Sequence, residues 1–524
     1  MGDSIQPTHK SDAGPKGQLD NDFEKQVGRV EMTADLKRRL GTRHLMMLGV
    51  GGTIGTGLFI GTGSAVAKAG PAGCLLAFIW VGTLVYSVMV GLAEMATYMP
   101  VTGGFTVYAS RFVDPSLGFA MGYIYWFSWC ITFALEMTIT GLIIRYWLPQ
   151  VSLSIFVGVF WVAITALNVL PIKMYGEIEM WLSSIKVVTV IGFIIFGICI
   201  DAGAGQDGVI GVKNWQNPGA FAPYLLTQMG NNEALAKFAG FWAVLVQAGF
   251  SYQGTELVGV GAGETHNPRK TVPLAIKWVF WSIVTLFVLT VFIIGLLIPY
   301  TNETLSSGEN NASGSPFVIA VDLAGVRVLP HIINAVLLTV VLSAAIANVY
   351  SGSRVLVGLA EERLAPRWMM KTTSWGVPYY AIACTAIWGV LGFLNESEGG
   401  TTVFNWLMNI SGVAGFISWT SINVSHLFFR RALSVQGIPA EQLPYQAPGQ
   451  PWLTWYGIFF NLLIIITQGF TSFLPWSVTE FFVAYVSLIL FALLYIGHKA
   501  WTRCGFVKSH EADLITGTYP VDWE

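Results

Sequence analysis

Apolar runs of about twenty residues follow one another from Leu45 to Gly497, and this succession commits the chain to a membrane fold. Crossing roughly 30 Å of hydrocarbon takes about 20 helical residues, and a helix satisfies its own backbone groups where no water is present. Candidate crossings lie near 45–67, 72–99, 117–147, 152–170, 181–200, 238–262, 274–299, 329–353, 377–394, 402–427, 453–473 and 479–498, about twelve in all. The chain is therefore read as an all-α polytopic membrane protein. A composition with only 11% charged residues agrees with that reading.

Two of these segments are interrupted where an ordinary membrane helix would not be. The first carries Gly51-Gly52-Thr53-Ile54-Gly55-Thr56-Gly57. Glycine costs about 1 kcal/mol relative to alanine inside a helix, and backbone opened in hydrocarbon costs several kcal/mol per unpaired group unless it lines a cavity. Such a gap offers a half-helix N-terminus to an anion. Five spans later, Phe250-Ser251-Tyr252-Gln253-Gly254-Thr255-Glu256 interrupts the sixth segment, followed by Gly259, Gly261 and Gly263. Broken helices at matching positions mark inverted repeats. Helices 1–5 (about 45–200) and 6–10 (about 238–427) are thus read as equivalent halves, with helices 11 and 12 (about 453–498) appended. Freed amides would hold a carboxylate and freed carbonyls an ammonium group, which suits a zwitterionic amino acid.

An even number of crossings puts both ends on one side, and the Lys/Arg bias says which. Lys37, Arg38, Arg39 and Arg43 precede the first span; Arg269, Lys270, Arg363, Arg367, Arg430, Arg431, Lys499 and Arg503 fall in alternate connections or after the last. Both termini are expected in the cytoplasm. One loop of the opposite side carries two glycosylation sequons, at Asn302 and Asn311. Residues 1–35 are polar, have no signal-peptide core and are read as a disordered tail; the transmembrane domain would run over 36–503 and a second tail over 504–524, whose aromatic end from Gly517 to Glu524 suits docking on the cytoplasmic face. The few cysteines are scattered and suggest neither a disulfide framework nor a metal site. No cofactor motif or catalytic constellation stands out, and a net charge of −2 argues against nucleic acid as a partner.

Ionisable side chains within a span cost at least about 2.5 kcal/mol if they face lipid, so they persist beside a cavity or a partner. Glu94, Glu136, Glu256 and Lys186 are of this kind. Glu136 and Glu256 are read as functional, the alternative being structural carboxyls bonded to neighbouring helices. Glu94, near a span end, suits a cap or gate. Lys186 either exchanges protons inside the bundle or snorkels to an interface about a turn and a half away. Trp419 lies mid-span, lining a site or packing, and Asn348 and Asn409 are placed to bond between helices, Asn348 also where the eighth helix would touch substrate.

The sequences GGTIGTGLFIGTG (51–63), Glu94-Met95 through Pro100-Val101-Thr102-Gly103-Gly104, Ile131-Thr132-Phe133-Ala134-Leu135-Glu136, SYQGTELVGVGAGE (251–264), Asn267-Pro268-Arg269-Lys270, NWLMNISGVAGF (405–416) and ITQGF (466–470) together resemble the fungal amino acid permeases of the amino acid–polyamine–organocation superfamily. The resemblance runs from about Leu36 to Arg503. It implies a LeuT-like 5+5 inverted repeat with helices 1 and 6 broken, and proton-coupled uptake of amino acids across the plasma membrane. It implies further that Thr53, Ile54, Gly55, Thr56 and Gly57 take the substrate carboxylate, and that Phe250, Ser251, Gln253 and Gly254 meet its ammonium group and close over it. Glu256 matches a carboxylate used in gating or proton coupling, and Lys186 stands where sodium-driven relatives hold a sodium ion. The motifs around Glu136 and Glu256 look most like the branch that carries arginine and lysine, in which Glu136 would pair with a cationic side chain while Ser128 and Ser411 tune which cation fits. If Glu136 instead carries protons or is structural, a general or neutral range stays open. So does an amino acid sensor on the same fold, although such proteins tend to carry longer tails. Lys10, Lys16 and Lys25 would serve ubiquitin ligase machinery, as in related permeases.

Overall fold

The computed structural model describes residues 42–101, 103–206, 208–265, 267–306, 314–326, 328–394 and 400–518. Asn311, the lysines at 10, 16 and 25, the tail 1–35 and the last residues from Tyr519 lie outside them. No strand is present among the described residues.

Helix α1 (Thr42–Thr53) ends at the first glycine run, and a π-turn at Gly57–Gly61 leads into α2 (Thr62–Tyr98). The apolar stretch Leu45–Tyr98 is 54 residues long, which at about 1.5 Å per residue is far more than one bilayer needs. It is two crossings, divided at Gly70 (φ 75°, ψ 170°) before Pro71. A Cβ at Gly70 would sit 2.5 Å from Ala222 N, and the corner is tied there by Ala222 N to Ala69 O (3.1 Å) and Ala72 N to Ala220 O (2.9 Å). Conformation and close approach both demand glycine.

The short α3 (Phe105–Phe112) is followed by α4 (Pro115–Arg145), α5 (Leu153–Asn168) and α6 (Ile172–Cys199). The second set comprises α7 (Glu233–Ala243), α8 (Leu245–Tyr252), α9 (Leu257–Val260), α10 (Pro268–Leu297), α11 (Pro316–Leu323), α12 (Leu329–Glu361), α13 (Tyr379–Ala386, continued by a 3-10 stretch to Leu394) and α14 (Gly400–Val435). Helices α15 (Trp452–Thr467) and α16 (Val478–Thr502) close the chain. Among the described residues, eight stretches are long and apolar enough to cross a membrane, with α5 and α13 as shorter apolar helices. Dividing Leu45–Tyr98 in two and adding α14, whose polar residues face inward, recovers the expected number. The breaks fall in the first and sixth crossings, an offset of five as a 5+5 repeat requires. Helix α4 is the hub: 89% of its apolar window is buried, against α12 and α14, whereas α16 is 17% buried and peripheral.

Both breaks are narrower than the glycine runs suggest. Gly51–Thr53 stay helical, as do Phe250–Tyr252, so the chain opens at Ile54–Gly55 and at Gln253–Glu256. The sequon residue Asn302 lies between α10 and α11, its Oδ1 accepting from Leu305 N (3.2 Å).

Where α4 begins, the Asp114 carboxylate accepts from Ser116 N (2.8 Å) as an N-cap ahead of Pro115. It also accepts from Tyr495 OH (3.0 Å) and from Lys499 Nζ. Burial pushes this carboxyl up, but the bonds from Lys499, Ser116, Tyr495 and Cys504 outweigh it and hold it below the usual range. The following segment packs on the same face. Val507 N donates to Val113 O (2.9 Å), Arg111 Nη1 to Thr516 O (2.6 Å), and Gln436 Nε2 to Ser509 O (3.0 Å) and Ala512 O (2.8 Å); Ala512 and Leu514 are buried.

Candidate functional site

The two breaks abut because each supplies a glycine to the other. Gly254 holds φ 104°, and a Cβ there would lie 2.7 Å from Gly52 O; one at Gly57 would lie 2.7 Å from Ser251 Oγ. Between them is a cavity of about 30 Å³ lined by Gly52, Thr53, Gly55, Thr56 and Gly57, by Trp129, Thr132 and Glu136 of α4, by Phe250, Ser251 and Gln253, and by Ala344 and Asn348 of α12. That is room for a water or two rather than an amino acid.

Most of the residues expected to touch substrate converge here, with two exceptions. Ile54 gives its N–H to Val50 O (2.9 Å) and its side chain to the core, and Gly254 packs on Gly52 behind the wall. Neither lines the cavity, because tight apposition of the breaks uses both for packing. Glu136 lines it with an asymmetric carboxylate: Oε1 accepts from Thr56 Oγ1 (2.9 Å), while Oε2 is buried without a hydrogen-bond partner. Ser128 and Ser411 do not reach the cavity and form its support. Ser411 bonds with Thr132 Oγ1 (2.6 Å) and Ser128 Oγ (3.1 Å) and donates to Gln253 Oε1 (3.3 Å), and Gln253 Nε2 donates to Ser128 Oγ.

Glu256 ends the second break, enclosed by donors from three elements: Tyr125 OH (3.0 Å) on α4, Trp419 Nε1 (3.3 Å) on α14, and Gly254 N (3.2 Å). This places Trp419 inside the bundle, away from lipid. Lys186 does not snorkel. It is fully buried on α6 and donates from Nζ to Gly51 O (2.6 Å), one turn before the first break. Glu179 Oε1 lies 3.9 Å from that Nζ, and its carboxylate accepts from Ser183 Oγ (3.0 Å) and Ser343 Oγ (3.0 Å). Sequence reasoning missed Glu179, although a seven-residue spacing from Lys186 puts both on one helix face. The stripe Ser128, Thr132, Glu136 on α4 follows the same logic. Glu94 sits at the far end of α2, where Arg430 grips it in bidentate fashion (2.7 and 2.9 Å), with His426 Nε2 at 3.3 Å and Ala447 N donating (2.5 Å).

The arrangement is that of a carrier. Two broken helices enclose a site at the centre of the bundle, with one free carboxylate oxygen in the wall and a buried ion pair against one break. Comparison with known proteins agrees. The amino acid permease family matches residues 44–511. The chain is 46% identical over 483 residues to the basic amino-acid permease of Saccharomyces cerevisiae, covering 92% of this chain and 84% of that one. It is 45% identical over 493 residues to the lysine-specific permease of the same yeast (93% and 80% covered) and 40% identical over 505 residues to the proline-specific permease of Emericella nidulans (94% and 91%). Among solved structures, the manganese transporter of Eremococcus coleocola shares the fold with a TM-score of 0.51 at 13% identity, over 90% of this chain and 98% of that one. The chain belongs to the amino acid permease family.

Proposed function

We propose that this permease imports amino acids across the plasma membrane by proton coupling, prefers arginine and lysine, and keeps both termini in the cytoplasm. The observation that carries the cationic preference is Glu136 Oε2, buried at the cavity without a partner. A buried acceptor left unpaired costs about 1–3 kcal/mol, and a guanidinium or ammonium group arriving with the substrate removes that cost through a charge-assisted bond. The names of the basic and lysine-specific relatives point the same way.

In this reading the substrate carboxylate rests on the half-helix opened at Gly55, Thr56 and Gly57, with Thr53 beside it. The α-ammonium meets the carbonyl end of α8, where Phe250, Ser251 and Gln253 close the cavity and Gly254 lets the breaks approach. Ser128 and Ser411 act on specificity by positioning Gln253 and Thr132. Lys186 and Glu179 carry the proton step: a change of charge in this pair alters the hold on Gly51 O and so the angle of α1. Glu256 joins α4, α14 and the second break, the elements that must part for release, and serves as the gate. Asn302 and Asn311 would carry glycans on the outer side, and the lysines of the N-terminal tail would receive ubiquitin.

The test is uptake of labelled arginine, lysine, proline and leucine by permease-deficient yeast expressing the chain at acid pH. Arginine and lysine are expected to accumulate and a protonophore to abolish the accumulation. Glu136→Gln is expected to cut uptake of both at least about tenfold at unchanged surface level, the equivalent of about 1.4 kcal/mol. Equal accumulation of all four would establish a general permease, and binding without accumulation a sensor.

A further inference from the structure

A second cavity, about 300 Å³ in volume, lies beyond the central one. Its side of the bundle follows from the second crossing. Lys68, in its wall, just precedes the corner at Gly70, whereas Glu94 is 24 residues past that corner, about 36 Å along the helix. The cavity therefore opens on the face opposite Glu94, Arg430 and the docked C-terminal segment.

Its walls carry both signs of charge and several amides: Lys68 from the end of the first crossing, Glu480 from the start of α16, Gln247 of α8, Asn405 and Asn409 of α14, and Gln468. Among the described residues, neither the Lys68 ammonium nor the Glu480 carboxylate has a hydrogen bond or an ion-pair contact within 4 Å, and the two act on each other only at longer range. Asn409 Oδ1 is buried there without a partner. The Lys68 backbone is held in place, since a Cβ on Gly240 would come 2.4 Å from Lys68 O. A cation, an anion and an unfilled acceptor around one polar cavity match the ends of a zwitterion.

Gln247 separates this cavity from the central one. It stands one turn before Ser251 on α8, and its Nε2 donates to Gly61 O and to Ser64 Oγ (2.7 Å), both on the far side of the first break. The two broken helices are thus bridged between the cavities by one side chain.

We propose that the outer cavity is a waiting site for the free amino acid, which Lys68 holds by its carboxylate and Glu480 and Asn409 by its cationic groups. Gln247 is the partition that yields before the substrate enters the central cavity. This rests on the permease reading above. A negative wall residue favours arginine and lysine over neutral amino acids before they reach Glu136.

Two readouts on the full chain test the proposal: uptake kinetics in yeast, and equilibrium binding of labelled arginine to purified protein in lipid nanodiscs. The wild type is expected to bind two arginines per chain, and Lys68→Gln and Glu480→Gln one each. Both variants should raise KM for arginine about fivefold with a smaller change in Vmax, as loss of one partly exposed charge contact implies. Lys68→Gln should raise KM for neutral amino acids as well, Glu480→Gln only for cationic ones, and Lys68→Arg should restore the wild-type KM. A wild type that accumulates arginine yet binds one per chain overturns the waiting site while leaving the permease intact. Unchanged KM and stoichiometry in both variants do the same. A wild type that neither binds nor accumulates any amino acid removes both.

Discussion

Lys186 and Glu179 show how much depends on single buried groups. The ammonium gives one bond to Gly51 O at 2.6 Å and has Glu179 at 3.9 Å, and the two serine hydroxyls on that carboxylate complete its partners. A buried ion pair contributes little net stability, but removing one member strands the other charge, at about 3–5 kcal/mol. Glu179→Gln is therefore expected to destabilise the protein by that amount, and Glu179→Gln combined with Lys186→Met by less. Thermal midpoints of the purified single and double variants decide it: a double variant no more stable than the single would mean that Lys186 does not depend on Glu179. Glu177, nine residues from Lys186 and so on the opposite side of the helix, is exposed.

At the level of elements, the site depends on two helix ends meeting without side chains between them. Gly254 at φ 104° over Gly52 O is the closest point of that meeting, and an alanine there meets both a disfavoured backbone conformation and a clash with main chain that cannot swing away. Gly254→Ala is expected to cost about 2 kcal/mol and to abolish arginine uptake. Unchanged melting and uptake would show that the breaks have slack between them. The same contact explains why Glu256 is enclosed: the turn Gln253–Glu256 directs its carboxylate back onto Gly254 N and between α4 and α14.

Across the whole molecule, the face that holds Glu94 and Asp114 is strapped by the chain after α16. Arg111 reaches Thr516 O and lies 3.9 Å from Asp513, while Leu514 is buried. Arg111→Ala removes a charge-assisted bond worth about 1.5 kcal/mol, which shifts a local opening equilibrium about tenfold. Trypsin cleavage after Lys508 in membrane vesicles is expected to accelerate by that factor, and an unchanged rate would mean that the segment is held by its apolar contacts alone.

The number of crossings and the places where two of them break were legible in the sequence, because both follow from local physics: the apolar length a bilayer demands and the cost of glycine and open backbone within it. The convergence of Thr56, Glu136, Phe250 and Gln253 was legible through the order of the motifs. What each group then does depends on which helices become neighbours. Ile54 turned to the core, Gly254 became a spacer, Ser128 and Ser411 moved behind the wall, and Lys186 stayed inside against Gly51. Those outcomes were decided by the tertiary structure, since burial, partners and free lone pairs arise from packing between segments that are far apart in the chain.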